Sequence, residues 1–138
     1  MAKTNLNIRS NPDWIDIEDH RWHKNAHGMD FSGQNGVLII DADIKAEGAH
    51  RVGRYLKSGV PLYRDVDDNL RLFTAAAKTA GKRVVGFLQT IEEVADTNGV
   101  YYDQKIVGIQ TAGEIYPLWL PVQIADEDIP VRFGRSVL

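Results

Sequence analysis

A chain of 138 residues with 43% hydrophobic and 25% charged residues has the composition of one ordinary globular domain plus a tail, long enough to bury a real core. The net charge of −3, with both signs interleaved, argues against the gathered basic face of a nucleic-acid-binding protein. Cysteine is absent, which excludes disulfides and thiolate chemistry, and no apolar run approaches the length of a membrane span.

The chain begins with a polar stretch, Met1 to Ser10, that lacks the apolar core of a secretory signal, so a soluble protein folded where it is made is the expectation. Residues 1–35 hold three of the four histidines and two of the three tryptophans but follow neither the helical nor the strand period. Pro12, Gly28 and Gly33 interrupt them. Yet Trp14, Ile15, Ile17, Trp22, Met29 and Phe31 are spaced through this polar strip, which a purely disordered tail would avoid. Apolar anchors in that setting predict an extended arm lying on a surface, either a partner's or its own domain's. His20, His23 and His27 would share one face of a helix, but Gly28 and the missing periodicity argue against a rigid one. They read as solvated or interface histidines, not metal ligands.

From Gly36 to residue 138, short apolar runs alternate with turn signals, the pattern of a mainly β, barrel-like domain. Asn35-Gly36 reads as a turn before a strand at Val37–Ile40. Strands are predicted at Val52–Leu56 and Val60–Tyr63, joined through Lys57-Ser58-Gly59. Further strands follow at Arg83–Gln89, Val100–Tyr102, Lys105–Thr111 and Glu114–Leu120, with a short last one at Ile129–Phe133. Leu70–Ala80 fits either a helix capped by Asp68 or Asn69 and ended by Gly81, or a strand followed by a loop or one helical turn. The second is the preferred reading. Ile91–Ala95 is a second candidate for a helical turn. Pro117 and Pro121 bracket Leu118-Trp119-Leu120, which must therefore sit at a sheet edge or leave the sheet. Something has to cover that apolar element, so Leu118, Trp119, Leu120 and Pro121 are candidate subunit-interface residues.

Catalytic signatures are weak throughout. Asp65, Asp67 and Asn69 begin like a calcium loop, but Leu70 stands where the turn glycine belongs and Ala76 where the bidentate glutamate belongs, leaving a polar turn. Ala80-Gly81-Lys82 lacks the glycine scaffold of a phosphate loop. Ser10, Ser32, Ser58 and Ser136 sit in no nucleophile elbow. Carboxylate pairs such as Asp41 with Asp43 and Glu92 with Glu93 are common in any chain this charged. Gly36-Val37-Leu38-Ile39-Ile40-Asp41-Ala42-Asp43 approaches the Gly-Val-Ile-Asp-x-Asp-Tyr loop of the dUTPase-type nucleotide hydrolases, but it has an extra residue and no tyrosine. No catalytic, cofactor-binding or metal residue is assigned.

The order of the β motifs is more informative. Leu56-Lys57-Ser58-Gly59-Val60-Pro61-Leu62, then Leu70-Arg71-Leu72-Phe73, then Arg83-Val84-Val85-Gly86-Phe87-Leu88 precede Gly113-Glu114-Ile115 and Leu118-Trp119-Leu120-Pro121. Across residues 52–121 this order resembles the head decoration proteins of tailed bacteriophages. The resemblance implies a capsid-cementing protein, not an enzyme, made in the host cytoplasm and bound to the outer surface of the expanded head. It implies a homotrimer at threefold and quasi-threefold positions whose partner is the major capsid protein. Neither nucleic acid, membrane nor cofactor would be involved. Its N-terminal arm would reach neighbouring capsid subunits, with Trp14, Ile15, Ile17, Trp22 and Phe31 as contact residues. Other expectations compatible with the sequence are a head-completion or tail-associated β protein and, from another class, a small-molecule-binding or hydrolytic β barrel.

Overall fold

The computed structural model describes Trp22 and residues 34–135. Its two longest strands, β1 (Gln34–Ile39) and β8 (Gln104–Gln110), alternate inward and outward side chains, which sets their register. They pair antiparallel over six residue pairs, from Gln34 opposite Ile109 to Ile39 opposite Gln104. Three short strands complete a closed barrel: β4 (Pro61–Arg64), β5 (Leu70–Leu72) and β6 (Gly86–Leu88), in the order β1-β5-β4-β6-β8. All its contacts are antiparallel except β1 with β5, a parallel contact of one pair, Leu38 with Leu70.

Two small sheets flank the barrel. One holds β2 (Arg51–Val52), β3 (Tyr55–Leu56) and β7 (Glu92–Glu93); the other pairs β9 (Gly113–Ile115) parallel with β10 (Phe133–Arg135). The helices are short. α1 (Ala42–Lys45) is capped by the Asp41 carboxylate, and α2 (Ala75–Thr79) by the Thr74 hydroxyl, which accepts from the Ala77 N–H.

Two apolar clusters share the wall between them. Leu38, Leu62, Leu70, Leu72, Leu88, Val107 and Ile109 fill the first, extended by Ile40, Ile44, Leu56, Val60 and Val94. Trp22, Phe73, Ala77, Val84, Phe87, Ile115, Leu120, Ile129 and Phe133 form the second. Successive residues of a strand point to opposite faces, so Leu72 and Leu88 enter one cluster while Phe73 and Phe87 enter the other. A wall buried on both faces explains why β6 lacks any polar alternation. Gly86 lets it approach β8, since a side-chain carbon there would lie 2.6 Å from the Gln110 carbonyl oxygen.

The mainly β, barrel-like architecture is the one the alternation predicts, and Leu70–Ala80 is a strand followed by little more than one helical turn. Several local expectations are corrected. Asn35-Gly36 is not a turn but part of β1, where a side-chain carbon on Gly36 would lie 2.7 Å from Leu70 Cδ1. Ile91–Ala95 holds β7 and not a helical turn, because Glu92 and Glu93 pair with Leu56 and Tyr55. Val52–Leu56 is split into β2 and β3 by a turn at Gly53, whose φ is +56°. Of Val100–Tyr102 only Tyr101 forms a bridge, with Ala95. Strand β9 stops at Ile115, and a 3-10 turn, Pro117–Trp119, follows it out of the sheet. The last strand lies later than expected, at Phe133–Arg135.

Trp22 requires the largest revision. Placed on the capsid by the resemblance, it is instead fully buried in the second cluster, in line with the alternative that this segment lies on its own domain. The core of the domain thus reaches back across the division at Gly36. Trp14, Ile15, Ile17, Phe31 and His20, His23 and His27 lie outside the described residues.

Candidate interaction surface

Among the described residues, Ser58 and His50 serve the fold. Ser58 is buried; its hydroxyl donates to the Gln89 carbonyl at 3.0 Å and accepts from Trp22 Nε1 at 3.1 Å. His50 is buried with Nε2 donating to the Ile44 carbonyl at 2.9 Å. Among the described residues no group of three or more histidine, aspartate or glutamate side chains is arranged to hold a metal. Leucine, isoleucine and valine side chains occupy the barrel interior, which is a packed core.

The strongest electrostatic arrangement is a bridge on Arg71. Its Nε donates to Asp65 Oδ2 at 2.6 Å and its Nη1 to Asp41 Oδ2 at 3.0 Å. Asp65 Oδ1 meanwhile accepts the N–H groups of Asp67 and Asn69, closing the polar turn between β4 and β5. The bridge ties that turn to the cap of α1. The Arg71 hydrogen bond, with smaller help from the two backbone N–H groups, holds the Asp65 carboxyl below its ordinary value, against partial desolvation acting the other way. A depressed carboxylate stabilises the fold above the ordinary aspartate pKa, and that contribution is lost as pH falls from there through the folded value. Asp65→Asn should therefore flatten the acid limb of stability plotted against pH, as read from urea unfolding. An acid limb identical to that of the native chain would remove Asp65 from this role.

Three of the segments singled out in the sequence lie close together in the second cluster. Trp22 packs on Phe87 with ring centroids 5.7 Å apart, and Phe87 stands edge-on to Phe133 at 5.0 Å. A side-chain carbon on Gly59 would lie 2.7 Å from Trp22 Nε1 and 3.0 Å from Pro121 Cδ. The Ser58-Gly59, Gly86-Phe87-Leu88 and Leu120-Pro121 segments are thus neighbours around one indole.

The four residues assigned by sequence to a subunit interface divide sharply. Leu120 is buried in the second cluster and cannot reach a neighbour, which corrects that assignment. Trp119 is half-buried against the same cluster, and Pro121 is half-buried against Gly59. Leu118 is 69% exposed. Gln123 fixes the turn that carries it, with Nε2 donating to the carbonyls of Pro117, Leu118 and Leu120 at 3.2, 3.3 and 2.9 Å. A rigid turn presenting an apolar tip is suited to insertion into a partner's pocket, since little conformational freedom remains to be lost.

A second apolar surface lies on the outer face of the β1–β8 pair. Exposed Ile106 stands opposite half-buried Val37, two residues from half-buried Ile39. No helix of the described residues is long and apolar enough to cross a membrane. Compared with protein-family models, with curated proteins and with solved structures, the chain finds no match.

Proposed function

We propose that this chain is a tailed-phage capsid decoration protein, which binds the outside of the expanded head and stabilises contacts between major capsid protein subunits. The reading rests on the order of the motifs across residues 52–121; the neighbourhood of Ser58-Gly59, Phe87 and Pro121 near Trp22 is compatible with it. Leu118 on its stapled turn, flanked by Trp119 and Pro121, is the contact offered to a neighbouring subunit. The arm residues Trp14, Ile15, Ile17 and Phe31 are assigned to the capsid surface. A module attached to several subunits at once must be displaced before they part, and each contact after the first is effectively intramolecular.

The experiment mixes purified protein with expanded, undecorated heads. Saturable binding at micromolar concentration in physiological salt is the expected result, with a copy number approaching that of the major capsid protein; no binding under those conditions ends the proposal. Leu118→Asp should weaken attachment or subunit association by about 1.5–3 kcal/mol, roughly the value of burying one leucine side chain. Its thermal midpoint should stay within a degree or two, about the effect of a neutral surface change.

A further inference from the structure

Among the described residues the two most exposed large apolar side chains are Val66, at 89%, and Val131, at 93%. Singly, an exposed valine needs no explanation. These two, however, sit among uncompensated charges of opposite sign.

Val66 tops the turn between β4 and β5, with Asp67 and Asp68 beside it. The Asp67 carboxylate forms no ion pair with the described residues, and Asp68 is held only loosely, 3.7 Å from Arg64 Nε. Val131 lines an open cleft of about 550 Å³ that also contains Lys78, Lys82, Arg83 and Arg132. Lys78 is more than neutralised by Glu127 and Asp128, at 3.2 and 3.1 Å, so the surplus carboxylate offsets one of the three remaining cations and the cleft keeps a smaller positive excess. Lys82 and Arg83 pair with no carboxylate of the described residues. Arg132 donates to the carbonyls of Thr111 and Val85, which orient its guanidinium without cancelling its charge. A convex acidic turn with an apolar tip and a concave basic cleft with an apolar lip are complementary in shape and sign.

We infer that the Asp67-Asp68 turn of one copy of this chain docks in the Lys82-Arg83-Arg132 cleft of a second copy, with Val66 meeting Val131. The inference rests on the reading that copies of the chain associate, and it names the surfaces. Turn and cleft are different patches of one chain, so the contact either repeats head to tail around a ring or forms twice, reciprocally, across a twofold axis, and the mass in solution distinguishes the two. Each contact is small and largely ionic, so it weakens with salt, and a further contact made within the same assembly supplies the remaining affinity.

The test is the mass of the full chain in solution, by sedimentation equilibrium over a range of concentrations. An oligomer is expected at low salt, with an apparent dissociation constant rising at least about tenfold between roughly 0.05 and 0.5 M salt. Asp67→Lys alone and Arg83→Glu alone should each raise it at least about tenfold, and the chain carrying both should return to within about threefold of the native value. Neither side chain bonds to its own fold, so circular dichroism and thermal midpoint should be unchanged. A chain monomeric at every concentration and salt overturns the inference. So does an oligomer indifferent to both single reversals, or a double variant that shows no recovery. Head binding is measured separately: a native chain that coats heads yet never self-associates removes this inference and leaves the decoration reading standing. A self-associating, charge-sensitive chain that ignores heads does the reverse.

Discussion

Trp22→Ala should lower the unfolding free energy by about 3–5 kcal/mol, read as a lower denaturant midpoint at an unchanged slope. The indole is fully buried, packs on Phe87, and donates to the Ser58 hydroxyl, while the Trp22 carbonyl accepts the Tyr116 N–H at 2.9 Å. Truncation leaves a void at the centre of the second cluster and removes a buried hydrogen bond. A domain of this size has a stability of about 5–15 kcal/mol, so the loss is a large share of the whole. A change below about 1 kcal/mol would show that the ring is not a core residue. The same geometry alters how a binding assay on this variant is read: any loss of partner affinity follows from a damaged fold, not from a missing contact. Trp22→Phe, which retains most of the packing, is the control.

Gly59→Ala is the second large effect, expected at about 2–6 kcal/mol. Its φ of +91° lies where side chains are strained, contributing about 1–3 kcal/mol. The new methyl would also sit 2.7 and 2.8 Å from Trp22 Nε1 and Cδ1, and 3.0 Å from Pro121 Cδ, an overpacking of about 1–3 kcal/mol. Only the steric part depends on the indole. In a Trp22→Ala background the glycine substitution should therefore be milder by about 1–3 kcal/mol, and a double-mutant cycle on the two positions measures that coupling. Strict additivity would contradict the packing described here.

Short apolar runs separated by turn signals, such as Val37–Ile40 and Lys105–Thr111, made the mainly β, barrel-like character legible from sequence. The ends of the Leu70–Ala80 segment were partly legible: Gly81, with φ of +83°, does end α2, but the cap is Thr74 and not Asp68 or Asn69. Asn35-Gly36 misled because the dipeptide's local turn preference is overridden by six cross-strand pairs, and because the glycine serves the approach of Leu70. Ile91–Ala95 is too short for any period to separate strand from helix, and its state is set by Leu56 and Tyr55, more than thirty residues earlier. Trp22 meets Ser58 across 36 positions, a distance over which no local pattern carries information. At the candidate surface, the flanking prolines marked Leu118-Trp119-Leu120 as leaving the sheet. Which leucine turns inward depends on the 3-10 turn and on Gln123, neither of which has a periodic signature. The acidic turn and the basic cleft were equally hidden, since the latter joins α2 to the segment before β10.

The barrel is stitched unevenly around its circumference. β1 is joined to β8 by six residue pairs but to β5 by one, so the ring has a firm seam on one side and a light latch on the other. Thermal openings should part the Leu38–Leu70 seam before any other, while β1 swings with β8 as a single flap.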